Sequence, residues 1–370
     1  MNYKISQVKP FINSKELEFI KNPIKNNFIT EGPQSRKFLE KLLKITETKY
    51  GVLAPNGTLA IALAIMALGL KKDDEIIIPN FTFYGSYSAA ILAGVKPILC
   101  DVDKSNFQID LESAQKIITP KTKAIMPVHI YGGSVNMSDV VNFSKRYKLK
   151  IVEDAAQALG VKFKKKSAGS FGLVSAFSFY ADKSLTTGEG GLIVTNSKKI
   201  YKNLLSLRNQ GRIKSGSFIH NNLGYNFRFN DILASIGLAQ LQKFELIKKR
   251  KLKIYKTFYD NLKNLKQIKF FKPIKDSNFI PFRVPIIVKN LNKLTIFLEN
   301  NKIQTRGFFF PLHSQKGVYK IFKSKEKDTF FKNSIYGNKN GLALPCYPSL
   351  NKKEILFICD KIKKFYFKYK

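Results

Sequence analysis

The chain has 370 residues, with 64 Lys and Arg against 26 Asp and Glu, a formal charge of +38 and 44% hydrophobic residues. That length accommodates two domains, and that apolar content supplies a core, which excludes a globally disordered chain. Three widely spaced cysteines (Cys100, Cys346, Cys359) and three histidines exclude a disulfide framework and zinc-type spacing and fit a reducing cytoplasm, and no apolar run reaches the roughly 18 residues of a membrane span.

The opening "MNYKISQVKPFINSKELEFI" is mixed in character and reads as no signal peptide. From about residue 50 to 200, apolar runs of strand length alternate with helical patterns. "KYGVLAPNGT" opens with a short buried strand, and "LAIALAIMALGL" follows as a buried helix. Next come "DEIIIPN", a helix through "YSAAILAG", "KPILCDVD", "KAIMPVHIYG", a helix near 138–147, and "KIVEDAA". The alternation predicts an α/β domain with a mostly parallel sheet. In such a sheet ligands gather at the carboxyl ends of the strands. Asn56–Thr58, Asn80–Phe83 and Asp154 fall at such ends. After about 245 the texture changes: a long helical stretch "LQKFELIKKRKLKIYKTFYDNLKNL", then "FIPFRVPIIV", a helix "NLNKLTIFLENN" and a final amphipathic helix "NKKEILFICDKIKKFYFKYK". The expected organisation is a large domain over 1–245, with an N-terminal arm, and a smaller α+β domain over 246–370.

Four features converge within the first of these. Asp154 lies just past a buried apolar strand, where a carboxylate is either a helix N-cap or needs a cationic partner such as a protonated pyridine nitrogen. "APNGTLAIAL" places Gly57 and Thr58 at a helix N-terminus, a favourable seat for a phosphate as well as an ordinary cap. "PNFTFYG" places Phe83 where its ring serves either the core or a flat cofactor. "FSFYADKSLTTGEGGLIVTN" sets Lys183 between a hydroxyl-bearing strand and a glycine-rich turn, which is expected to leave room for a cofactor. A lysine that forms a Schiff base attacks as the neutral amine, and partial burial favours that form. A buried aspartate combined with such a lysine is the protein's signature for pyridoxal phosphate.

The order and spacing of these blocks resemble the nucleotide-sugar aminotransferases, a family of fold-type-I pyridoxal-phosphate enzymes. The resemblance runs nearly end to end, through "FITEGPQSRKFLEKL", "NGTLAIALAIMALGL", "DEIIIPNFTF", "AGVKPILCDVD", "KAIMPVHIYG", "VEDAAQALG", "LGYNFRFNDILASIGLAQL" and "FFFPLH" besides the lysine block. It implies an α/β fold with a seven-stranded type of sheet between helices, and a role for each residue. Lys183 would carry the cofactor as a Schiff base, and Asp154 would keep its ring nitrogen protonated. Phe83 would stack on the ring, and Gln157 would reach its phenolic oxygen or its face. Gly57, Thr58 and Ser178 would bind the phosphate. Asn226 matches an asparagine that the neighbouring subunit supplies in this family, so a homodimer with shared sites is expected. Arg228 is either a substrate contact or part of a structural ion pair, and His313 is either a substrate contact or a rim histidine with a structural hydrogen bond.

The resemblance further implies L-glutamate as amino donor and a nucleotide-linked ketosugar as acceptor. "IQTRGFFFPLHSQ" and "LALPCYPSL" resemble perosamine-synthase-like members, which aminate C4 of a 4-keto-6-deoxyhexose for surface polysaccharide. Gly307 stands where those members often have proline, and Gln157 where several have glutamate, which leaves C3 amination as an alternative, beside a pyridoxal-phosphate-dependent sugar dehydratase or a regulatory relative that keeps the fold. Relatives that dehydrate the sugar replace the lysine with histidine; this chain keeps Lys183. The charge is nearly all lysine and spread along the chain. The dense runs "KFKKK" and "ELIKKRKLKIYK" read as a hairpin tip and a helix face. No helix-turn-helix, zinc finger or aromatic RNA-binding signature accompanies them. The excess is read as compositional, with nucleic acid not an expected partner.

Overall fold

A computed structural model describes residues 3–212, 218–321 and 327–368. Helices α1 (Ser14–Lys25) and α2 (Pro33–Thr46) precede the sheet. There follow β1 (Tyr50–Ala54), α3 (Gly57–Ala67), β2 (Glu75–Pro79), α4 (Tyr84–Leu92), β3 (Lys96–Cys100), α5 (Leu111–Lys116), β4 (Thr122–Ile125), α6 (Met137–Tyr147) and β5 (Lys150–Asp154). A small hairpin, β6 (Lys162–Phe163) and β7 (Lys166–Ser167), leads to β8 (Val174–Ser178), β9 (Gly191–Thr195) and α7 (Lys198–Arg208). The "KFKKK" run is indeed a hairpin tip: Lys164 and Lys165 turn the chain between β6 and β7.

The seven long strands order as β1-β9-β8-β5-β4-β2-β3. β3, β2, β4, β5 and β8 run parallel, and β9 is antiparallel to both its neighbours. This is the mostly parallel sheet expected. The order reverses at β2: β3 lies on one side of it and β4 on the other. The crevice between the carboxyl ends of β2 and β4 is therefore the switch point at which such sheets bind ligands. All five residues of β2 and of β9 are buried, as expected for strands covered on both faces. α3 packs on β8, β9, α4 and α7 and is apolar nearly all round because it is enclosed on all sides.

The C-terminal part opens with α8 (Asp231–Leu262) and continues through β10 (Ile268–Phe270), β11 (Val284–Val288), α9 (Leu291–Asn300), α10 (Lys316–Ile321), α11 (Lys332–Asn340), β12 (Gly341–Leu344) and α12 (Lys352–Lys368). β10, β11 and β12 form an antiparallel sheet. Its core of Ile254, Phe258, Val284, Ile286, Leu294, Ile358 and Ile362 is separate from that of the large sheet. Two features complicate a division at 245. α8 runs unbroken through that position. Ile5 also belongs to the C-terminal core, where it is fully buried and bridges to Ile303. Gln7 beside it donates to the Ala343 carbonyl at 2.6 Å.

Candidate active site

A cavity of about 1130 Å³ opens at the switch point. Its wall includes Gly57, Thr58, Phe83, Asp154, Gln157, Ser178 and Lys183, seven residues that lie at or just after the carboxyl ends of four different strands. Asn226, Arg228 and His313 are not part of it.

Asp154 closes β5 and is 4% exposed. Its Oδ2 accepts from the Ser86 hydroxyl at 2.7 Å and its Oδ1 from the Ala156 amide at 3.1 Å. No helix begins there, so the N-cap alternative fails. The carboxylate is oriented by α4 and by its own turn and lines the cavity. Lys183 lies half-buried across that cavity, in the excursion between β8 and β9. Burial lowers its pKa below the ordinary lysine value; Asp182 and Asp154 oppose this, while Arg283 and Arg306 reinforce it. The net direction favours the free amine.

The glycine-rich turn works differently from the sequence expectation. Thr187 and Phe179 bond across it, with Phe179 also donating to the Gly190 carbonyl at 2.8 Å. A side chain at Gly190 would meet the Thr187 hydroxyl at 2.4 Å, and one at Gly191 the Asn56 carbonyl at 2.4 Å. These glycines let the loop close on itself and on the β1–α3 turn, rather than making space for a ligand. The glycine that shapes the cavity is Gly57. A Cβ there would lie 2.7 Å from the Ser178 Cβ and 2.9 Å from its Oγ, so the N-terminus of α3 and the end of β8 form one tight cradle. The cap of α3 is Asn56, which accepts from the Leu59 amide at 2.9 Å, leaving Thr58 facing the cavity.

Phe83 is 64% exposed on the cavity wall, which removes the core alternative. Gln157 accepts from the Tyr131 amide at 2.7 Å. Tyr131 adopts a left-handed conformation (φ 55°), sparsely populated for a non-glycine residue, on the same wall.

His313 is held by Asn80, which accepts from its amide and meets Nδ1 at 2.9 Å; the imidazole also stacks on Phe331. It lies outside the cavity wall, and its Nε2 meets Asp328 Oδ1 at 2.9 Å. Asn226 and Arg228 are exposed on the segment before α8. Arg228 donates to Asn209 at 3.1 Å.

Three features escaped sequence reasoning. Glu153, beside Asp154, is wholly buried and gathers the amides of Gly169, Phe171 and Gly172 at 2.5–2.7 Å and His129 Nε2 at 2.9 Å. His129 Nδ1 accepts from the Val135 amide, so Nε2 carries the proton given to Glu153. Burial alone would raise the Glu153 carboxyl; the bonds from His129, Gly172 and Gly169 outweigh it and hold the carboxyl below its usual range. Second, Arg283 forms a buried pair with Asp182 at 2.6 Å, directly before Lys183 in the chain. Third, Lys251 of α8 is 2% exposed and donates to the carbonyls of Cys346, Pro281 and Phe282 at 2.8, 3.2 and 3.4 Å. The "AD" before Lys183 and the arginine of "PFRVP" carried the second signal, but no local pattern joins residues 101 positions apart.

A family model described as the DegT/DnrJ/EryC1/StrS aminotransferase family matches residues 10–363. The chain belongs to that family. It is 34% identical over 362 residues to a GDP-perosamine synthase of Escherichia coli O157:H7, covering 97% of each chain. It is 31% identical to the GDP-perosamine synthase of Vibrio cholerae, covering 97% of this chain and 98% of that one. Among solved structures, DesV of S. venezuelae in complex with a ketimine intermediate superposes with a TM-score of 0.90 at 26% identity, over 95% of this chain and 94% of that one. Among the described residues, no helix is long and apolar enough to cross a membrane.

Proposed function

We infer that this family member is a pyridoxal-phosphate-dependent aminotransferase that moves an amino group from L-glutamate to C4 of a nucleotide-linked 4-keto-6-deoxyhexose. One observation carries the reading: Lys183 and the buried Asp154 line a single cavity at the sheet's switch point. The residues present fit the cofactor. Asp154 offers a fixed, buried carboxylate for a protonated ring nitrogen. The exposed ring of Phe83 offers a stacking face. The cradle of Gly57, Thr58 and Ser178 at the N-terminus of α3 offers amides and hydroxyls for a phosphate. Gln157 would contact the ring, and Lys183 would bind it covalently.

Bound there, pyridoxal phosphate supplies an electron sink for the carbon that loses its proton. The protein supplies the rest. Lys183 Nζ takes the proton from the donor's α-carbon and delivers it on the same side, which fixes the stereochemistry by proximity. Asp154, locked by Ser86 and Ala156, keeps its carboxylate aimed at one point. The depressed pKa of Lys183 favours the free amine over the ammonium.

The GDP-perosamine synthases that cover nearly the whole chain support a GDP-linked sugar; C4 amination and a surface polysaccharide as destination rest on the resemblance of the "IQTRGFFFPLHSQ" and "LALPCYPSL" blocks. The retained Lys183 argues against dehydration. Asn226, exposed and outside this chain's cavity, would reach the site of a second copy, making the enzyme a homodimer in the cytoplasm. The test is incubation of the cofactor-loaded protein with L-glutamate and GDP-4-keto-6-deoxymannose, with the amine located by NMR of the product. Amination at C4 is expected. Amination at C3, or loss of a hydroxyl without amination, overturns the substrate assignment.

A further inference from the structure

Helix α4 starts without a side-chain cap: its N-cap is Phe83, which makes no capping bond. Two hydroxyls of the kind that usually cap a helix flank that position, Thr82 just before it and Ser86 three residues after it. Both are engaged elsewhere. They are 2% and 1% exposed, and their oxygens lie 3.0 Å apart. Ser86 gives its proton to Asp154 Oδ2 at 2.7 Å. A hydroxyl has one proton, so the bond between the two is made with the proton of Thr82. The donors therefore run one way, from Thr82 to Ser86 to Asp154. Asp154 Oδ1 takes one donor, the Ala156 amide at 3.1 Å, and keeps lone-pair capacity for a further N–H. The rest of this turn serves the same cavity. Phe83 exposes its ring on the wall, and the missing side chain of Gly85 leaves room for the Thr58 hydroxyl, which a Cβ would meet at 2.9 Å.

We propose that Thr82 and Ser86 are positioning residues for Asp154, a chain of two hydroxyls that fixes one carboxylate oxygen, draws charge from it, and so sets how strongly the carboxylate holds the cofactor's ring nitrogen. The inference rests on the reading of Asp154 as the partner of that nitrogen, and deepens it. Hydrogen bonds in a buried chain polarise one another, so the outer hydroxyl acts through the inner one. A helix cap or a plain packing contact would need neither this order of donors nor both hydroxyls.

The test compares wild type, Ser86→Ala, Thr82→Val and Thr82→Ser, each loaded with pyridoxal phosphate. It reads the dissociation constant of the cofactor and the pH midpoint of its visible band. The charged groups that act on Lys183, namely Asp182, Asp154, Arg283, Arg306 and Lys251, are the same in all four proteins. Ser86→Ala is expected to weaken cofactor binding about 10-fold and to move the midpoint to higher pH. A carboxylate relieved of its donor takes a larger share of the ring proton, which leaves the Schiff-base nitrogen more basic. Thr82→Val should move the midpoint the same way and less, and Thr82→Ser should match wild type. A lowered melting temperature with an unmoved midpoint in both Ser86→Ala and Thr82→Val would make the hydroxyls merely structural and overturn the proposal. A shift in Thr82→Ser equal to that in Thr82→Val would trace the effect to packing and also overturn it. If Ser86→Ala does not fold, the two Thr82 variants decide. A wild type that gains no visible band from pyridoxal phosphate removes the cofactor reading itself, and the positioning role with it.

Discussion

Lys183 and Lys251 share one aromatic ring: their Nζ atoms lie 4.7 and 5.9 Å from the centroid of Phe282. The first belongs to the excursion after β8 and the second to α8, so the ring joins the cavity lysine to the helix that enters the C-terminal core. Arg283, next to Phe282, completes the arrangement by gripping Asp182. The Pro281–Arg283 segment is thereby fixed at both ends, by Lys251 on one side and Asp182 on the other.

On the proposed function, replacing Lys183 with Ala would remove the base and the covalent anchor together. Loss of amino transfer by about 10²–10⁴-fold or more is expected, with no Schiff-base absorption on addition of pyridoxal phosphate. In wild type, burial places the lysine below its ordinary value near 10.5. The rate of cofactor capture by the apoprotein should therefore reach its half-maximum at a pH below that value. A midpoint at 10.5 would show that the burial has no such effect.

Lys251→Met should leave the carbonyls of Pro281, Phe282 and Cys346 without their donor, a loss of about 1–3 kcal/mol. Burial lowers the pKa of Lys251. The unfolded chain then binds more protons between the folded value and the ordinary one, so this group makes stability rise with pH across that interval. Urea unfolding across the alkaline range should show a shallower rise in the variant. An equal slope would remove Lys251 from that account.

Glu153→Gln places an amide against donors from Gly169, Phe171, Gly172 and His129. A loss of about 1–3 kcal/mol at pH 7 is expected. The wild-type carboxyl is depressed in the folded state, so its contribution is complete above the unfolded carboxylate value and fades as pH falls through the folded one. Wild type and variant should converge in acid. Equal stability at pH 7 would contradict the role of Glu153 as the organiser of this turn.

Gly57→Ala forces the new methyl against Ser178. A cost of about 1–3 kcal/mol and weaker retention of pyridoxal phosphate are expected. Adding Ser178→Gly removes the clashing atoms and should recover stability but not cofactor affinity, because the hydroxyl is lost as well. Full recovery of affinity in the double variant would exclude Ser178 from the phosphate cradle.

Much of this cavity could be read from the chain because its parts are local: a strand end followed by a turn, repeated four times, with one expected site residue or more at each. Asp154, Phe83, Gly57 and Lys183 are of this kind. What could not be read depends on distant segments. Arg283 meets Asp182 only because β11 and the β8–β9 excursion fold together. Lys251 had a signal that its neighbours obscured. The run "ELIKKRKLKIYK" does form a helix, as expected, but Lys243, Ile247, Lys251, Ile254, Phe258 and Leu262 are all buried. Their spacing of four, four, three, four and four is that of the inward stripe, so the two lysines on it point into the protein. Lys243 pairs there with Glu16 of α1. In a chain so rich in lysine, the phase along the helix rather than the charge marks the unusual ones.

The bridge from Ile5 to Ile303 also sets an order of events during synthesis. Ribosomes add about 5–20 residues per second, so roughly 15 s to a minute separates the emergence of these two partners. Throughout that interval the arm around Ile5 and Gln7 has no seat, since Gln304, Ala343 and the helix that closes their core are still unmade. The large sheet, whose strands end at Thr195, can assemble first. The arm then docks late, beside Arg283, whose guanidinium takes the Gln7 carbonyl. Docking of the arm thereby also finishes the wall behind Lys183, where Val8 to Phe11 lie beside Asp182 and Lys183.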